Sequence, residues 1–129
     1  MTTRRWNVPV KADGLRSNEL VSIRYDRNNI AVQISELDSG DTQWRFLFTT
    51  IQALRVTTWE SAGEVLAALP VDGGFFERTD SDLLRSLGPQ HYMGAARHFV
   101  ISCYDEVVEV VAHHVEISRV ESGSGTMRR

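Results

Sequence analysis

The stretch Leu20-Val-Ser-Ile-Arg-Tyr-Asp-Arg-Asn-Asn-Ile-Ala-Val-Gln-Ile34 decides the fold class. Val21, Ile23 and Tyr25 alternate with Ser22, Arg24 and Asp26, the two-residue period of a strand with one buried face. Asn28 and Asn29 then supply two residues that tolerate positive φ, as a tight hairpin turn requires. Reversal about that pair sets Tyr25 opposite Val32 and Ile23 opposite Ile34. The large apolar side chains then share one face, while Ser22, Arg24, Asp26, Gln33 and Ser35 share the other. The next reversal is selected the same way. A two-residue loop at Ser39-Gly40 would place Arg45 against Ile34 and mix the faces. A three-residue loop, Asp38-Ser39-Gly40, pairs Ile34 with Trp44, Val32 with Phe46 and Ile30 with Phe48. The pattern predicts a three-stranded antiparallel meander with one aromatic-rich face. Residues 52–60 add a further strand, with Leu54 and Val56 as its apolar markers.

The second decisive stretch is Phe99-Val-Ile-Ser-Cys-Tyr104 followed by Val107-Val-Glu-Val-Val-Ala112. Pairing the two about Asp105-Glu106 gives a wholly apolar face of Phe99, Ile101, Cys103, Val108, Val110 and Ala112. His98, Val100, Ser102, Tyr104, Val107, Glu109, Val111 and His113 take the other face, with His98 opposite His113. A four-residue loop from Tyr104 to Val107 preserves the same facing. The second strand extends through Val115 and Ile117. Between meander and hairpin, Gly63 and Pro70 confine any helix carrying Val65, Leu66 and Leu69 to a turn or two. Asp80 or Ser81 caps a second short helix with Leu83, Leu84 and Leu87, stopped at Gly88-Pro89. Residues 90–97 read as loop. The fold class is therefore α+β: a mainly antiparallel, curved sheet, meander plus C-terminal hairpin, with one or two short helices.

The 129 residues suit one domain, residues 1–120, followed by a Ser/Gly-containing flexible tail at residues 121–129. Fourteen Lys and Arg against seventeen Asp and Glu leave a net charge of −3, so no overall positive field points to nucleic acid. The meander's polar face offers Arg24, Arg27 and Arg45 beside Gln33, but Asp26 and Glu36 dilute that charge. The longest apolar-rich run, residues 99–111, is interrupted by Ser102, Asp105, Glu106 and Glu109 and is too short to span a bilayer. With one cysteine and no leader, the expectation is a cytoplasmic protein that contacts neither nucleic acid nor membrane.

No catalytic constellation emerges from the residues. His91, His98, His113 and His114 invite a metal reading, and His98 with His113 would supply two ligands. A third is missing, because Glu109 lies four residues along the strand from His113, about 13 Å away. No metal and no cofactor are expected. Cys103 falls on the apolar face, where a thiol keeps a high pKa and packs as a small hydrophobe. An alternative reading takes Tyr25, Trp44, Phe46, Phe48 and Phe99 as the lining of a concave ligand site, used by a small-molecule binding domain or small enzyme. The simpler expectation is that these aromatics fill the core.

Residues 82–112 carry a resemblance. Asp82-Leu-Leu-Arg-Ser-Leu87, Arg97-His-Phe-Val-Ile101 and Tyr104-Asp-Glu-Val-Val-Glu-Val110 form a Leu-rich helix, a His-aromatic-x-Ile strand, an acidic turn and an acidic-Val strand. This part of the chain resembles the C-terminal part of small bacterial proteins of unknown or immunity-type function. The resemblance implies a non-enzymatic protein that acts by binding a partner protein, often a toxin. The long, lightly charged last strand is expected either to lie centrally or to pair in a homodimer.

Overall fold

The computed structural model describes residues 2–70, 72–88 and 96–120. His91, most of the loop expected before residue 97, and the 121–129 tail lie outside the described residues. The strands are β1 (Thr2–Arg5), β2 (Asn18–Asp26), β3 (Asn29–Glu36), β4 (Ser39–Thr58), β5 (Phe75–Thr79), β6 (Arg97–Ser102) and β7 (Glu106–Val120). The helices are α1 (Gly63–Ala67) and α2 (Asp82–Ser86), with a single 3-10 turn at Trp59–Ser61. All strands join one open antiparallel sheet in the order β1-β5-β6-β7-β4-β3-β2. The α+β class and the curved antiparallel sheet are as expected. Among the described residues no helix is long and apolar enough to cross a membrane.

The second reversal of the meander reaches the expected register, with Ile34 opposite Trp44, Val32 opposite Phe46 and Ile30 opposite Phe48, but not through the expected three-residue loop Asp38-Ser39-Gly40. Leu37 and Asp38 form the turn, Ser39 already opposes Glu36, and a bulge before Gln43 restores the pairing. The first reversal does not reach its expected register. Arg27 and Asn28, at φ 51° and 69°, form the turn, so Tyr25 opposes Ile30 and Ile23 opposes Val32. A two-residue slip keeps every facing, so alternation cannot distinguish the two registers. The observed one keeps Arg27 out of the apolar row and buries Ile30 instead. A bulge at Val21 then turns Leu20, rather than Val21, toward the core.

The C-terminal hairpin is also offset by two residues. Cys103 N–H donates to the Glu106 carbonyl at 2.8 Å, the chain reverses at Tyr104 and Asp105, and His98 opposes Val111 instead of His113. The facing of Phe99, Ile101, Cys103, Val108, Val110 and Ala112 into one core is as expected.

Residues 52–58 are not a separate strand but the second half of β4. Thr50 adopts φ 56° and a bulge follows between Ile51 and Ala53, so the strand bends and continues. The core-facing positions of β4 change there from Phe46 and Phe48 to Ile51. Those of β7 change in step, from Val115 and Ile117 to Ala112, Val110 and Val108. Val115 and Ile117 therefore pack on the main core and do not share a row with Val107 and Val111. Leu54 and Val56 remain exposed.

These bends curl the sheet. Phe46 on β4 and Phe75 on β5 are three strand positions apart, about 14 Å in a flat sheet, yet their rings stack 5.4 Å between centroids. Tyr104 N–H reaches across to the Asn18 carbonyl at the start of β2. Arg16 seals this corner, stacked 4.7 Å over the Trp59 ring and 4.1 Å over the Tyr104 ring. The concave side is filled by the segment after β1. Trp6 sits 4.6 Å from Phe99 and 5.5 Å from Phe46, and also contacts Phe48 and Phe75. The opposite face of β5, β6 and β7 carries a smaller core of Phe76, Val100 and Val107 under Ala62 and Leu69.

Trp6 belongs to no strand, yet it closes the aromatic cluster. Trp6→Ala should therefore lower unfolding free energy by about 3 kcal/mol, measured by urea denaturation. A loss below about 1 kcal/mol, the range of an ordinary surface change, would show that the curled sheet holds without it.

Candidate functional site

The chemistry-bearing residues gather on the face away from Trp6. β6 and β7 place His98 and Glu109 on that side, β5 adds Arg78, β4 adds Arg55, and the start of α2 adds Ser81. Asp80, at φ 51°, turns the chain after β5, and Ser81 is the helix cap. Leu84 N–H donates to Ser81 Oγ at 3.2 Å, and Ser81 Oγ lies 2.7 Å from His98 Nδ1. His98 Nε2 lies 2.9 Å from Glu109 Oε1. An ionised carboxylate only accepts, so the satisfied tautomer carries its proton on Nε2 and leaves Nδ1 to accept from the Ser81 hydroxyl. Arg55 faces Glu109 directly across β4 and β7 and grips it with two bonds, Nε–H to Oε2 at 2.8 Å and Nη2–H to Oε1 at 3.1 Å. Arg78 Nη1 approaches Glu109 Oε1 to 3.8 Å.

Burial alone would raise the Glu109 carboxyl, but the bonds from His98 and Arg55 and the Arg55 charge outweigh it and hold it at about 2. A serine, a histidine and a carboxylate in line form the skeleton of a nucleophilic site. Here Ser81 and His98 are 1% and 0% exposed, and the Ser81 oxygen is already engaged by Leu84 and His98. The line works as a bolt that fixes α2 to the sheet and gives a hydrogen bond to a buried carboxylate whose charge Arg55 balances.

A second ionic cluster lies at the edge of the concave side. Arg97 binds Glu77 with two bonds of 2.8 Å, and Arg4 Nη2–H donates to Glu77 Oε1 at 3.0 Å. Those bonds, from Arg97 first, hold the Glu77 carboxyl below its ordinary range. This cluster joins β1, β5 and β6. Cys103 is fully buried, and desolvation, aided by the Glu106 charge, pushes its thiol up to about 12.

The five aromatics of the alternative ligand reading are divided. Phe46, Phe48 and Phe99 surround Trp6, and Trp44 borders the same core with its Nε1–H donated to Glu36 at 2.8 Å. Tyr25 stands outside, 68% exposed. Arg24, Arg45 and Gln33 line a cleft of about 300 Å³ on the outer face, together with Asp26. His113 and His114 are neighbours, 6.4 Å between rings, and His98 opposes Val111, two residues short of His113. Among the described residues no three His, Cys, Asp or Glu side chains converge to hold a metal ion.

No spacing in the sequence encodes the Ser81–His98–Glu109–Arg55 bolt. One signal for it is legible: Glu109 is the sole charge between Val107 and Val111, and a strand buried on both faces tolerates a carboxylate only when it is paired. Known proteins add no relative. No family model matches the chain, and no curated protein or solved structure is significantly similar to it.

The Glu109 carboxyl is held below its ordinary 4.5, so its contribution is full above about pH 5 and fades as pH falls toward 2. Glu109→Gln should lower the melting temperature at pH 7 and flatten the acid limb, followed by circular dichroism across that range. An acid limb of unchanged steepness would place the acid-sensitive group elsewhere. Cys103 should react with a water-soluble thiol reagent only on unfolding, and Cys103→Ser should cost about 1–3 kcal/mol if its hydroxyl finds no partner. Fast labelling of the native protein would contradict the burial.

Proposed function

We propose that the chain acts in the bacterial cytoplasm as a non-enzymatic binding partner of another protein, in the manner of an immunity or accessory factor. The supporting observation is where the structure leaves apolar surface. Leu54 and Val56, 39% and 44% exposed, stand on one face of β4, beyond the point where β3 stops pairing with it. Apolar side chains left side by side on a strand are a contact surface in search of a partner. The interior supports the same reading. Trp6 occupies the aromatic hollow that a small ligand would need, and the serine–histidine–carboxylate line is sealed. A toxin or effector is the partner class suggested by the resemblance of residues 82–112.

The purified chain, titrated calorimetrically with the product of an effector gene adjacent to its own, should form a tight equimolar complex. The reading is removed if none of the neighbouring gene products binds.

A further inference from the structure

We infer that the outer edge of β4 at residues 52–58 accepts an extended strand from the partner, with apolar side chains on one face and lysines or arginines on the other. The inference rests on the protein-binding reading and specifies its mode. β3 pairs with β4 only as far as Thr49, while β7 pairs with it up to Thr58. Among the described residues, β4 beyond the bend therefore has a sheet neighbour on one side only, and about half of its backbone N–H and C=O groups point outward.

Other margins of the sheet are guarded as edges commonly are, by shortness, charge or bulges. β1 has four residues, two of them arginine, and β2 carries a bulge with Glu19, Arg24 and Asp26. The far half of β7 carries Glu116 and Arg119. In residues 52–58 the one charged side chain is Arg55, and its guanidinium is turned over the sheet onto Glu109. It cannot guard the edge.

The two faces of this edge differ. Leu54 and Val56 lie on one, opposite Val110 and Val108. Arg55 and Thr57 lie on the other and border a cleft of about 460 Å³ that α1 completes. Exposed Glu60 and Glu64 line that cleft. An added strand places alternate side chains beside the apolar pair and in the acidic cleft, which selects apolar residues for the first and cations for the second. A second copy of this chain fits poorly. It would bring the same glutamates, and its own β4 offers only an arginine already bound to Glu109.

The test titrates the full isotope-labelled chain with capped peptides of about eight residues, an ordinary strand length, one alternating valine with lysine and one alternating valine with glutamate. The valine–lysine peptide should shift the amide resonances of residues 52–58, slow their hydrogen exchange, and bind roughly tenfold tighter than the valine–glutamate peptide. Leu54→Lys with Val56→Lys should weaken it roughly tenfold without moving the urea midpoint, and Glu60→Lys with Glu64→Lys should reverse the peptide preference. Equal binding of both peptides, no shift at residues 52–58, or a dimer that protects those amides without peptide would overturn the inference. A neighbouring gene product that binds the native chain and the Leu54→Lys, Val56→Lys variant equally would remove the edge and leave the protein-binding reading standing. Valine–lysine binding at the edge, with no complex from any neighbouring product, would do the reverse.

Discussion

The pairing of β4 with β7 is the constraint on which the rest of the molecule depends. These are the two longest strands, and each serves two parts of the sheet: β3 and β2 flank one end, β6, β5 and β1 the other. Their core-facing positions change together near Thr50 and His113, so the pairing is interrupted only at the bulge and resumes beyond it with apolar residues again facing apolar residues. Had only one strand shifted, apolar residues on one would have faced polar residues on the other along half the ladder. The coordinated bend lets a single sheet surround Trp6.

The same register sets Arg55 opposite Glu109, and this pair organises the second face. A carboxylate inside a valine-rich strand demands compensation, and it draws hydrogen bonds from β4 through Arg55 and β6 through His98, with the Arg78 charge of β5 nearby. His98 passes the demand on to Ser81, which in turn caps α2. The small helix is thus joined to Glu109 through two hydrogen-bonded side chains. Such a buried polar line confers specificity of arrangement more than net stability, because dehydrating the charges offsets much of their attraction.

The same arrangement also directs charge away from the open edge of β4. Arg55 would be the natural guardian of an exposed strand edge, and its capture by Glu109 leaves that edge apolar beside Leu54 and Val56. The protein's internal needs and its open surface are therefore linked through one guanidinium.

The period-two alternation in residues 20–34 and 99–112 is enough to give the class, the meander, the hairpin and the facing of the buried apolar residues within those stretches, because burying one face of a strand imposes that period whatever surrounds it. It also places Cys103 inside, and the residue types at Asp80 and Ser81 mark the helix cap. Alternation is blind to a slip of two residues, so the turns at Arg27-Asn28 and Tyr104-Asp105, and with them the partner of His98, are settled by which residues the neighbouring strands can bury. The continuity of β4 through Thr50 is hidden because a left-handed residue interrupts the period just as a loop would. The bolt around Glu109 joins residues up to 54 positions apart, and no local pattern encodes such a distance. Facing is a property of the strand itself and is written in the chain; partnership across the sheet depends on how the strands stack, and only the tertiary structure decides it.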